Sequence, residues 1–298
     1  MQKNLQKVVR AVACLLCPLV LVGCINPLPG DVAAAVSEPE ALALLSASAV
    51  AHGGDEQFAR VDAVRVRYDG EWLNGIWKLQ PMLVDRGYRK ASDETMTYRR
   101  PTPGRERLAW PVVTQTHTGP EGEKTVRWPV ADPAGQTLAG GAAVMYDGRP
   151  VQDPARRVRV EEAAAMVAEA YRMFLTAPFY FTQHPGQVTA VMSEPVTVRG
   201  RECDQVLIEL RPGLGVSSED RVQAAIDRET RLVRRLRFSL DGFRKTAGAT
   251  ADVILDGHVT VPDGLTFPTR FLEVVVHPIH RKVHRWEAVD ISVQTRAN

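Results

Sequence analysis

In the stretch HPIHRKVH, His277, His280 and His284 stand close enough in sequence to suggest a tetrahedral metal site. An extended chain, however, turns positions 277 and 280 to opposite faces, and Pro278 opposes a helix. Arg281, Lys282 and Arg285 add positive charge to the same few residues. The stretch therefore reads as the tip of a hairpin. It is a basic contact loop made by His277, His280, Arg281, Lys282, His284 and Arg285, facing water, a phosphate headgroup or an acidic partner. No metal or other cofactor is expected. Asp252, Asp256, His258 and Asp263 crowd a second region, with the hydroxyls of Ser193 and Ser239 elsewhere. Nucleophilic catalysis needs a base beside the nucleophile and a third group to orient that base. No local motif supplies this, and Asp256 and Asp263 each precede a turn glycine. His117 reads as part of a hairpin arm, and His52 as the end of a helix.

The thiols say more. Lys3, Lys7 and Arg10 precede an apolar run, Ala11–Val22, too short to span a bilayer as a mature helix. The run ends in Leu21-Val22-Gly23-Cys24, which resembles the lipobox of bacterial lipoproteins. That resemblance implies a diacylglycerol thioether on Cys24, cleavage before it, and an N-acyl chain such as palmitate on the new amino group. Each buried methylene contributes about 0.8 kcal/mol, so two or more chains give stable anchoring. Ile25 follows the cysteine, without an aspartate of the kind that resembles an inner-membrane retention signal. The expected address is the cell envelope, with the outer membrane, facing the periplasm, favoured. Residues 1–23 are thus a signal peptide, 24–36 a Pro- and Gly-containing tether, and 37–298 one domain.

Removing the signal takes three of the 37 basic residues against 35 acidic ones and leaves a net charge of −1. No nucleic-acid partner is expected from that balance. Cys14 and Cys17 leave with the signal, so Cys203 is alone in the body and reads as a small buried hydrophobe. A chain of this length buries roughly 70–75% of its extended surface.

Ser37-Glu38-Pro39-Glu40 opens a helix that ends at Gly53-Gly54, with Ser37 as its expected cap. Beyond it the period becomes two, as in ARVDAVRVRYDG, and turn signals recur. A second helix is expected from about Val160 to Thr176, with Ala163, Ala164, Val167, Ala170, Tyr171, Phe174 and Leu175 on one stripe. The last 110 or so residues read as a meander of strands. Within it, RLVRRLRFSL mixes arginine and apolar residues on both parities, which predicts a partly wet face. These elements give a mainly β, α+β fold: a large antiparallel sheet with two helices packed on it.

Two phrases sharpen that class. Asp227–Leu232 and Asp263–Arg270 resemble hairpins of the LolA/LolB-type and RseB-type lipoprotein-sorting and sensing group. The resemblance implies a strongly curved, unclosed antiparallel sheet, a half barrel whose concave side is covered by helices and holds acyl chains. In that setting Trp72, Trp77, Phe174, Phe179, Tyr180 and Phe181 either line a hydrophobic cavity or fill a core. The leading functional expectation is non-catalytic binding of a lipid or other hydrophobic ligand by an envelope lipoprotein, held to the membrane by its acyl chains. The alternative is a periplasmic scaffold or sensor with a protein partner, and a hydrolase is the third class.

Overall fold

The computed structural model describes Leu28 and residues 37–76, 90–99, 112–119, 122–128, 142–183, 188–211, 213–215, 217–241 and 246–296. Cys24 and Trp77 lie outside them. Leu28, inside the expected tether, is buried.

Two meanders build one sheet. β1 (Val61–Trp72), β2 (Glu94–Arg99), β3 (Val112–Gly119), β4 (Gly122–Trp128), β5 (Ala143–Tyr146) and β6 (Arg149–Pro150) step outward from the middle. β7 (Val188–Val198), β8 (Arg201–Leu210), β9 (Asp220–Asp227), β10 (Val233–Ser239), β11 (Thr250–Asp256), β14 (Arg270–His277) and β15 (Arg281–Thr295) step back from the far edge. All pairings are antiparallel, and the order across the 13 strands is β6-β5-β4-β3-β2-β1-β15-β14-β11-β10-β9-β8-β7. The first and last strands meet in the middle, from Val61 opposite Thr295 to Trp72 opposite His284. The chain crosses between the two edges through α3 (Pro154–Thr176) and the single turn α4 (Phe179–Thr182). A separate hairpin, β12 (Val259–Thr260) with β13 (Thr266–Phe267), leaves the sheet between β11 and β14.

The sheet wraps around α3. Glu169 of the helix meets Trp128 on β4, and Phe174 meets Phe238 on β10. Those strands are seven steps apart, roughly 34 Å in a flat sheet, whereas five helical residues rise only about 7.5 Å. Only a curled sheet brings both strands to neighbouring turns of one helix. The order remains open at β6 and β7, so the expected unclosed half barrel with helices on one face is the observed architecture.

α3 starts two turns before the sequence signal. Asp153 accepts the Arg156 N–H at 2.6 Å and Pro154 takes the first position, a regular N-terminus for which charged Arg156, Arg157 and Arg159 hid the apolar period. From Ala163 to Thr176 nearly every side chain is buried, polar ones included, because the helix runs inside the curl rather than on a surface. Gly215, with φ +59°, lets a loop press its backbone onto Met166 of this helix.

The N-cap position of α1 (Pro39–Ala51) is Glu38, not Ser37, and no side chain caps the helix. Ser37 and Glu38 are used otherwise: Ser37 Oγ and Glu38 Oε2 accept the Ala190 and Met192 N–H groups, covering part of the β7 edge. The far end of α1, followed by the short α2 (Asp55–Ala59), docks on both hairpin phrases named above. Ser48 Oγ donates to the Arg231 carbonyl, and the Thr266 N–H donates to the His52 carbonyl. Asp227 holds its turn by accepting the Glu229 and Thr230 N–H groups.

In β10 the expected mixture of faces resolves through a β-bulge. A register shift between Val233 and Arg235 sets Val233 on the same side as Leu236 and Phe238, all fully buried. Arg237 instead makes a bidentate pair with Asp252 at 2.6 and 2.9 Å. Cys203 packs with Val198 and Ala225 in a small satellite core, and burial pushes its thiol pKa up.

Candidate functional site on the inner face

Strand register defines a row of residues along the inner face. It runs Trp72, His284, Glu273, Val253, Leu236, Ala224, Val206 and Met192, one from each of β1, β15, β14, β11, β10, β9, β8 and β7. Val253, Leu236, Ala224 and Val206 have no accessible surface, so this wall is covered by packing. Glu273 sits where the apolar wall gives way to an aromatic and polar end. Strand alternation fixes its direction: Phe271, two residues earlier, stacks on Trp286 inside the curl, while Leu272 lines the outer face.

His284 is the centre of the polar end. Its ring lies between Trp72 (4.1 Å between centroids) and Trp286 (4.4 Å). Nδ1 is 3.3 Å from the Tyr171 hydroxyl, and Nε2 is 2.8 Å from Ser92 Oγ. Both nitrogens are therefore engaged. Trp286 reaches this stack because its opposite residue is Gly70, whose missing Cβ would stand 2.6 Å from Trp286 Cβ.

Glu273 contrasts with its neighbour. The side chain is half-buried, and among the described residues its carboxylate has neither a hydrogen bond nor an ion pair. Burial alone pushes its pKa up to about 7.

Two further polar groups lie inside. Glu169 accepts the Trp128 indole N–H at 2.7 Å, Arg172 Nη2 at 2.5 Å and the Tyr180 hydroxyl at 3.1 Å. The Arg172 guanidinium also lies over the Tyr180 ring, 4.6 Å from its centroid. In a second inner row Lys124, His117, Glu94 and Tyr68 stand side by side on β4, β3, β2 and β1, all buried. Gln115 donates to Glu94 at 2.8 Å, and His117 Nδ1 lies 3.7 Å from the same carboxylate. The interior is thus polar toward β4–β1 and apolar toward β11–β8.

Of the aromatic residues expected at a cavity or core, Phe174, Phe179, Tyr180 and Phe181 are buried in the main core. Phe179 stacks on Phe58 at 4.3 Å. Trp72 is half-buried and belongs to the His284 stack. The basic contact loop is divided. His280, Arg281, Lys282 and Arg285 are exposed, and His277 is half-buried at the end of β14. His284 departs from the expectation: β15 begins at Arg281, and strand alternation with a register shift at Glu273/Val274 turns His284 inward, where it is 1% exposed. Arg285 points outward to Glu71, and with Lys282, Arg199 and Arg270 lines a depression of about 270 Å³ on the outer face.

At the β12–β13 end, His52 donates from Nδ1 to the Thr266 carbonyl at 2.9 Å and accepts the Val233 N–H at Nε2, 3.3 Å. That pattern requires the neutral ring, and burial lowers its pKa to about 4. His258, 5.7 Å away between ring centroids, is lowered by burial to about 3. Asp256 is tied to its turn and to Arg199 and Arg270. Ser239 donates to Asp220, and Gln223 donates to Ser193.

Sequence reading missed Glu273 and the Glu169–Arg172 pair. The signals were present: Glu273 shares the parity of Phe271 in an otherwise apolar run, and Glu169 and Arg172 are spaced i, i+3 in an alanine-rich helix.

Fold and site together define an open half barrel with a buried crossing helix and an inner row that turns from apolar to polar. Solved structures of similar course are a domain assigned to outer-membrane lipoprotein sorting from Vibrio parahaemolyticus (10% identity, 87% of this chain and 94% of that one, TM-score 0.41) and a LolA superfamily protein from Nitrosomonas europaea (9%, 86% and 94%, 0.40). A DUF1329 family protein from Desulfovibrio piger is similar too (9%, 85% and 95%, 0.43). No family model and no curated protein matches the sequence. These likenesses are distant, at 9–10% identity. No helix among the described residues is long and apolar enough to cross a membrane.

Proposed function

We propose that this protein is an envelope lipoprotein, anchored through Cys24, that holds a lipid or other amphipathic ligand inside the half barrel without transforming it. The observation that carries this reading is Glu273: a half-buried residue on the inner wall whose carboxyl has no partner among the described residues, between aromatic side chains and an apolar row. Burying apolar ligand surface contributes about 25 cal/mol for each Å² removed from water. The polar end fixes which way the ligand lies. Because Val253, Leu236, Ala224 and Val206 are covered, a long apolar tail reaches them only when a covering helix moves.

Pairing of a partner along the β7 edge is less favoured, since Ser37 and Glu38 already occupy the Ala190 and Met192 N–H groups. Native mass spectrometry of the chain purified from its own envelope tests the ligand reading. A bound species that organic solvent removes is the expected result. Protein that is ligand-free under every extraction condition, with an anchored Cys24, would leave only the anchor. Loss of membrane attachment in Cys24→Ser is the companion expectation.

A further inference from the structure

We propose, building on the ligand reading above, that the Glu273 carboxylate on the inner face receives the protonated amine of an amphipathic ligand. The carboxylate is an acceptor to which its neighbours among the described residues offer no donor: Val253 flanks it on β11, and His284 on β15 spends both nitrogens on Tyr171 and Ser92. Among the described residues, the cations of the surrounding elements are either paired elsewhere or, like Arg281 and Lys282 of β15, exposed to solvent. Arg172 is held by Glu169 inside α3, Arg237 by Asp252 and Arg285 by Glu71 on the outer face. With no cation of the described residues at Glu273, a positive group brought by the ligand is the partner its carboxylate fits. An ammonium supplies both the charge and up to three N–H donors, whereas a hydroxyl supplies one donor and a second carboxylate repels. The adjoining row of Val253, Leu236 and Ala224 is apolar, so the amine would sit at the end of a hydrocarbon body.

Calorimetric titration of the mature-length chain, residues 24–298 without acyl groups, with dodecylamine, dodecanol and dodecanoic acid at mildly alkaline pH is the test. The amine should bind roughly tenfold or more tighter than the alcohol, the acid weakest, and Glu273→Gln should erase the amine's advantage. Equal binding of amine and alcohol, or an amine preference that survives in Glu273→Gln, would overturn the amine assignment while leaving the ligand reading intact. No binding by any of the three would overturn both. The wild-type comparison of headgroups decides the matter even if the variant folds poorly.

Discussion

The Trp128 indole N–H donates to the Glu169 carboxylate at 2.7 Å, tying β4 to the middle of a helix that also carries Arg172 on the same acid. This linkage fastens one wing of the sheet to the element around which the whole sheet curls. Both charged groups are nearly inaccessible, so removing one leaves the other uncompensated. Glu169→Ala should lower unfolding free energy by about 3–5 kcal/mol. Glu169→Met with Arg172→Met should recover most of that loss. Urea denaturation of the three proteins measures it, and a single variant no less stable than wild type would show that the pair is not holding the wing.

Glu273 gives a pH signature. Its folded pKa lies near 7, above the ordinary carboxylate value, so the stability associated with its neutral form is complete below about pH 4.5 and is lost as pH rises through 7. The shift corresponds to at most about 3 kcal/mol, less whatever solvent reaches the half-buried group. Glu273→Gln should therefore match wild type near pH 4.5 and exceed it progressively toward pH 8, as read by thermal midpoints. A constant difference across that range would contradict this placement of the carboxyl.

His52 works in the opposite direction. Its folded pKa is lowered to about 4, so the protein loses stability as pH falls from about 6.5 toward 4, while the unfolded chain takes up the proton first. His52→Gln should cost about 1–2 kcal/mol at neutral pH, from the lost bonds to Thr266 and Val233. The gap to wild type should shrink toward pH 4, because only wild type carries the acid penalty. A gap that widens in acid would mean that the ring is charged in the fold.

Gly70 allows the Trp286–His284–Trp72 stack to lie flat on the sheet. In Gly70→Ala the new Cβ meets Trp286 Cβ at 2.6 Å and the Arg285 carbonyl at 2.8 Å, both of which must shift. A loss of about 1–3 kcal/mol is expected. A weakened near-ultraviolet tryptophan signal, with the far-ultraviolet spectrum retained, is the accompanying readout.

Much of the architecture was legible because a meander writes itself locally. Alternation in ARVDAVRVRY and the turn at Arg228-Glu229-Thr230 each mark an element without knowledge of its partners. Pairing of β1 with β15 was not legible, since contacts between the first and last strands leave no local trace. The inner site was half visible. Trp72 stood out as a large aromatic residue, but His284 was read with its charged neighbours because a one-residue register shift decides its face. Glu169 and Arg172 were not legible, because charged residues of a helix ordinarily face water and only the fold shows these two buried. Within the curl of the open sheet that expectation fails, because from Ala163 to Thr176 nearly every side chain of the helix is covered.

The central claim, that the inner face around Glu273 takes a ligand, is tested most directly by photo-cross-linking. A diazirine-bearing alkyl amine would be irradiated with the mature-length chain and the labelled residues mapped by peptide mass spectrometry. Label on Glu273 and Tyr171, competed away by dodecylamine, is the predicted result. Label confined to the outward residues Ile254, Leu272 and Arg285, or spread without competition, would contradict it.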